Sequence, residues 1–116
     1  MRNKSSNVRT TKRKLSKCKD VCRTYSTIQY AYADMLENDS SVAEFICNVV
    51  LTDFDIEGTY TTDFLITKIN GDKAVRECIF KDKITKPLNI KLLDESRLYW
   101  LRRGITDWGI VTNENT

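Results

Sequence analysis

The sequence predicts an α/β domain, and the spacing of its apolar residues carries that prediction. Apolar residues recur at helical intervals in two stretches, 26–37 and 87–103. β-Branched and aromatic residues cluster in the runs 42–51, 60–69 and 73–80, and again in 107–112. The second helix lies between the third and fourth of these runs. It therefore makes a crossover, so the last strand is expected to run parallel to a neighbour. The order is α-β-β-β-α-β, a mixed sheet with flanking helices.

Each element has its own signal. In "STIQYAYADMLE", Ser26 is a suitable N-cap, and Ile28, Tyr32, Met35 and Leu36 fall on one stripe. "NDSS" ends that helix, and "VAEFICNVVL" reads as the first strand. After the polar loop "TDFDIEG" come "YTTDFLITKI" and "KAVRECIF", joined by "NGD". Asn70-Gly71 is a hairpin signal, because both residues tolerate positive φ. Pro87 suits the first turn of the second helix, where its missing N–H would have no partner anyway. Leu92, Leu93, Ser96, Tyr99 and Trp100 form the inward stripe of that helix. Arg102 and Arg103 suit its C-terminal dipole, and Gly104 its C-cap. Tyr99, Trp100 and Trp108 read as core anchors, and Arg97, Arg102 and Arg103 as a solvated face.

Length allows one small domain of 116 residues. No apolar run is long enough to span a membrane and no signal-peptide h-region follows the basic start, so a cytoplasmic location is expected. The net charge of +3 conceals a strong segregation. Residues 1–23 carry nine Lys/Arg and one acid, whereas residues 24–62 carry seven acids and no Lys/Arg. Residues 1–23 are poor in apolar side chains and self-repelling. They are expected to form a flexible, disordered basic arm ahead of a single domain over 24–116. Arg9, Lys12, Arg13, Lys14, Lys17 and Lys19 are its candidate phosphate contacts. With no histidine in the chain, Ser-His and Cys-His nucleophile schemes are excluded. Cys18 and Cys22 are four apart, but Cys47 and Cys78 stand isolated in sequence. The four read as buried or free thiols rather than as a zinc set.

Two acids on the predicted hairpin are candidate ligands for a hard cation. Asp63 lies near the start of one strand and Glu77 in the next. Their geometry depends on the turn. A two-residue turn at Asn70-Gly71 places Asp63 opposite Cys78 and sends Glu77 to the other face. A three-residue turn over "NGD" places Asp63 opposite Ile79, on the face of Glu77 and Lys81. Both registers are open to the sequence, as is a hairpin with two unrelated surface carboxylates. The element order is also that of the restriction-endonuclease-like core. In such nucleases an acid pair holds Mg²⁺ and a lysine near the second acid positions the attacking water.

Several stretches resemble the N-terminal catalytic domain of the TnsA endonuclease subunit of heteromeric transposases. They are "YTTDFLI", "YSTIQYAYADMLENDSSV" and above all "LLDESRLYWLRRGITDWGIVTNE", within a match spanning roughly 24–114. The resemblance implies a metal-dependent nuclease fold that cuts at one transposon end, alongside the transposase TnsB and the ATPase TnsC. It places the family's catalytic Asp at Asp63 and the second ligand at Glu77. The first-helix Glu falls at Gln29, the lysine at Ile79, the proline before the Asp at Thr62, and a polar residue of the preceding strand at Asn48. Lys81, about 7 Å further along a strand than Ile79, is the candidate for a migrated lysine. The match stops short of the domain with which the family engages TnsC, so partners other than TnsC are expected: DNA, a transposase or another protein.

With an amide at Gln29 and an alkyl chain at Ile79, the expected function is that of a degenerate member. Such a protein keeps the nuclease fold, has lost cleavage, and binds DNA or a transposition or DNA-processing complex. Two alternatives stand beside it. One is an active Mg²⁺-dependent DNA endonuclease using Asp63, Glu77 and Lys81. The other is an interaction or inhibitor protein that mimics a nuclease subunit, favoured by the acidic stretch 24–62.

Overall fold

The computed structural model of the chain describes residues 10–52 and 60–113. Among these residues the chain forms β1 (Thr11–Arg13), β2 (Cys22–Thr24), α1 (Thr27–Asn38), β3 (Val42–Val50), β4 (Thr61–Lys68), β5 (Lys73–Cys78), α2 (Pro87–Arg102) and β6 (Asp107–Val111). A 3-10 turn, Lys81–Lys83, separates β5 from α2. The main sheet has the order β3-β4-β5-β6. Its first two pairings are antiparallel and the last, β5 with β6, is parallel. The expected mixed sheet and parallel last strand are thus present. The loop reading for "TDFDIEG" falls mostly on residues outside the described set.

Alternation along the strands builds two cores. Phe64, Ile66, Ala74 and Cys78 face α1, where Ile28, Ala33 and Leu36 meet them with Phe45. Leu65 and Val75 face the other way and pack with Leu92, Tyr99, Trp100 and Ile105 of and just after α2. All five residues of the predicted α2 stripe are buried. Pro87 occupies the first turn. At the far end Gly104 takes φ 87°. Its N–H reaches Leu101 O at 2.9 Å, and that of Ile105 reaches Trp100 O at 2.9 Å, the two bonds of a Schellman stop. In α1, Ser26 Oγ accepts from the N–H of Gln29 at 3.1 Å, as its N-cap role requires. The stripe of α1 differs from expectation at one position. Met35 is exposed, and Gln29 is buried in its stead.

The hairpin turn follows neither predicted register. Lys68 N–H bonds to Asp72 O at 2.8 Å and Gly71 N–H to Lys68 O at 2.9 Å, so the loop is Ile69-Asn70-Gly71. A two-residue type I′ turn needs positive φ at both central positions. Here Gly71 has φ 94°, and Asn70 is not among the residues with positive φ. The result is a three-residue loop with glycine at its left-handed position. Phe64 then pairs with Arg76, which brings Asp63 level with Glu77 instead of Cys78 or Ile79.

The flexible arm expected over 1–23 is corrected from residue 10 onward. β1 and β2 pair as an antiparallel ribbon, with Lys12 opposite Arg23 and Arg13 opposite Cys22. Charge counting hides the anchors that order it. Cys18 and Cys22 are buried in the α1-side core. Arg13 bonds Asp34 at 2.5 Å and lies 3.6 Å over the Tyr30 ring. The N–H groups of Ser16 and Lys17 donate to Glu37, each at 3.0 Å. Acids of the negative stretch therefore take up part of the positive one. Residues 1–9, with Arg9, lie outside the described residues.

Candidate functional site

The main-chain ladder between β4 and β5 stops at Phe64–Arg76. One step further, side chains replace it. The N–H of Asp63 donates to Glu77 Oε1 at 3.0 Å, and the N–H of Cys78 donates to Asp63 Oδ2 at 2.6 Å. Both carboxylates are buried, each 1% exposed. On the neighbouring strand Asn48, with φ 57°, interrupts β3 between the pairs Cys47–Phe64 and Val49–Thr62, level with Asp63. Asparagine tolerates this left-handed conformation better than most residues. Its side chain turns away to donate to Arg23 O at 2.8 Å, so it fastens the β1–β2 ribbon instead of joining the acids.

Each acid is held by a different helix. Gln29 of α1 donates from Nε2 to Asp63 Oδ1 at 2.5 Å, while its Oε1 accepts the N–H of Tyr25 at 2.6 Å. These partners fix which end of the amide faces the carboxylate. On the α2 side, Glu77 Oε2 accepts from Thr62 Oγ1 at 2.9 Å and from Ser96 Oγ at 2.6 Å. Each hydroxyl in turn accepts an indole N–H: Trp100 donates to Thr62 at 2.9 Å and Trp108 to Ser96 at 3.1 Å. Two tryptophan–hydroxyl relays thus end on one carboxylate, and each bond polarises the next. All four carboxylate oxygens of the pair accept hydrogen bonds from the protein. Thr62, Ser96 and the two indoles were not foreseen as part of the site. The available signal was Ser96, a hydroxyl in the middle of an apolar stripe.

The lysine position is not filled from either candidate. Ile79 is half-buried and lines a small recess beside Glu77, together with Tyr60, Asn89, Leu92 and Leu93. β5 ends at Cys78, so Lys81 lies beyond the strand in the 3-10 turn. It is exposed, and its N–H donates to Asn113 Oδ1 at 2.7 Å. The expectation that Lys81 shares a strand face with the acids is therefore corrected: the strand does not extend that far. Chemically, the arrangement offers two buried carboxylates whose four oxygens all accept protein hydrogen bonds, one of them from a neutral amide.

The proposed phosphate contacts divide. Lys12, Lys14 and Lys19 are exposed. Arg13 and Lys17 are drawn into the body, Lys17 by an Nζ bond to Asp39 O at 2.6 Å. Arg23, which sequence reasoning passed over, stands exposed across the ribbon from Lys12. At the sheet edge, Arg76 pairs with Asp107 at 2.8 Å and holds that carboxyl below its ordinary range. Among the described residues no helix is long and apolar enough to cross a membrane. No protein-family model matches the chain, and no curated protein matches it.

Proposed function

We propose that this chain is a DNA-binding protein on a restriction-endonuclease-like core of the TnsA type, in which the former metal-site acids have become structural. On this reading it serves a transposition or DNA-processing assembly without cutting DNA itself. The observation that carries the proposal is the burial of Asp63 and Glu77 together with the engagement of all four of their oxygens by protein donors. Protein donors occupy every carboxylate oxygen, and one donor is the Gln29 amide, at the position where the resemblance expects a third acid. A divalent cation needs several oxygen ligands and would have to reach two acids that are each 1% exposed, beside an amide that brings no negative charge. The most family-like stretch also supports the reading, since Ser96, Trp100 and Trp108 converge on Glu77.

Binding is assigned to the outer face of the β1–β2 ribbon. Lys12 on β1 and Lys14 just past its end are both exposed, and Arg23 stands directly across from Lys12. Like charges directly opposite each other destabilise a strand pair. A phosphate backbone laid along this face relieves that repulsion.

Supercoiled DNA incubated with the protein and Mg²⁺ or Mn²⁺ tests the loss of cleavage. The expected result is no nicking above background, and nicking that vanishes in Asp63→Ala overturns it. Anisotropy on a short labelled duplex tests the ribbon. Joint replacement of Lys12, Lys14 and Arg23 by alanine should weaken binding. It should also reduce the slope of log K against log salt by roughly 0.9 for each phosphate no longer neutralised. An unchanged slope refutes the assignment.

A further inference from the structure

Away from the acid pair, three cysteines meet that the sequence keeps apart. Cys18 and Cys22 flank the end of the loop between β1 and β2, and Cys47 is on β3. Cys47 Sγ lies 3.6 Å from that of Cys18 and 3.4 Å from that of Cys22. All three sulfurs fall within 4.8 Å of one another. The main chain fixes this approach. Lys19 N–H donates to Phe45 O and Phe45 N–H to Lys17 O, both at 2.9 Å, so the loop is stitched to β3 beside Cys47. No pair is joined as a disulfide.

From these distances we infer that Cys18, Cys22 and Cys47 form a thiolate site for a soft cation, with zinc as its natural occupant. A tetrahedral zinc at about 2.3 Å from each sulfur sets sulfur–sulfur separations of about 3.8 Å. The observed 3.4 and 3.6 Å need only a few tenths of an ångström of expansion, and the Cys18–Cys22 pair lies within 4.8 Å. Three sulfurs with no histidine or carboxylate in the group select a thiophilic ion over magnesium or calcium.

The surroundings suit that charge. Three thiolates around a dication leave one net negative charge. Arg13, the cross-strand partner of Cys22, supplies a compensating cation. Its Nε is the one buried side-chain nitrogen or oxygen among the described residues without a hydrogen-bond partner. Of the three cysteines, Cys18 also lines a surface groove, with Lys14, Leu15, Ser16, Asp20 and Val21.

Metal binding is tested on the full chain, reduced and freed of metal, by titration with Co²⁺ and then Zn²⁺. One equivalent of Co²⁺ should raise thiolate-to-cobalt charge-transfer absorption, and one equivalent of Zn²⁺ should abolish it. Cys78→Ser, which alters a cysteine outside the cluster, should keep the signal. Cys22→Ser and Cys47→Ser should each lose affinity by at least tenfold. If those variants fail to fold, alkylation of the unaltered chain decides. Zinc should then protect Cys18, Cys22 and Cys47 by at least tenfold in rate and leave the rate at Cys78 unchanged. Absence of charge transfer in the folded, reduced protein overturns the inference. So does a signal that persists in Cys47→Ser, or zinc that protects none of the three.

Discussion

Replacing Gln29 by glutamate puts the saturated acid pair under the most direct strain. The substitution keeps side-chain size and keeps an acceptor for the N–H of Tyr25, but it turns the donor 2.5 Å from Asp63 into an oxygen. A hydrogen bond to a charged group contributes about 1.5–3 kcal/mol, and that is lost. A further buried negative charge about 4 Å from that of Asp63 adds roughly 4 kcal/mol of repulsion at an effective dielectric near 20. The pair escapes part of this by retaining a proton, at about 1.4 kcal/mol per unit of upward pKa shift. Keeping that proton near pH 8 caps the expected net loss at about 5 kcal/mol, read by urea unfolding followed through tryptophan fluorescence. The new carboxyl has a raised pKa in the folded state. Its favourable share is complete below the unfolded value and disappears as pH rises through the folded one, so the deficit should shrink on acidification. Gln29→Ala removes the bond without adding charge. It should lose about 2 kcal/mol with no such pH slope. If Gln29→Glu stays within about 0.5 kcal/mol of the parent without divalent metal, Asp63 has room beside it for a free carboxylate, and the reasoning about a closed network falls.

Substitutions at three other positions probe the same framework. Ser96→Ala removes a donor from Glu77 and an acceptor from Trp108, so chemical denaturation should register a loss of about 2–3 kcal/mol with altered Trp108 emission. Gly71→Ala should lower stability by about 1–2 kcal/mol, because Gly71 has φ 94°. Nothing lies within 4 Å of the added Cβ, so Gly71→Asn should recover most of the loss in a thermal melt if conformation alone is at fault. Arg76 depresses the pKa of Asp107. That pair therefore stabilises the protein above the unfolded carboxyl pKa and stops doing so as pH falls through the folded value. With the Asp107 side chain 44% exposed, screening limits this to about 0.5 kcal/mol. An acid titration of Arg76→Ala should show that increment missing.

Local rules found the elements, and long-range contacts decided what the elements did. The stripe of α2 was legible because five inward positions at helical spacing are apolar or, at Ser96, small and polar. The start of α1 was legible from Ser26. Met35 sits on the predicted stripe of α1 but is exposed, because Gln29 takes a buried place beside Asp63 that periodicity alone assigns to an apolar residue. Asn70-Gly71 announced a turn without fixing its register: loop length rests on whether Asn70 joins Gly71 at positive φ, and the three-residue loop starts at Ile69, one residue before "NGD". Length and starting point together set which residue stands level with Asp63. The ordered part of the basic arm was hidden for another reason. Its anchors, Asp34, Glu37 and Asp39, lie across a turn in a stretch that sequence counting treats only as opposite charge. Cys47 was likewise out of view, 25 residues from Cys22.

The carboxylate network also governs how the molecule comes apart. The two apolar cores share no residue and lie on opposite faces of one thin sheet. Two such half-molecules have no hydrophobic reason to melt together. Yet Asp63 is gripped by α1 and Glu77 by α2, and the main chain of each strand donates to the other's acid. Peeling away either helix strands a buried charge whose partner still belongs to the opposite face. Positions 29 and 96 are thus energetically coupled through the sheet, and cooperativity between its faces runs through one pair of acids.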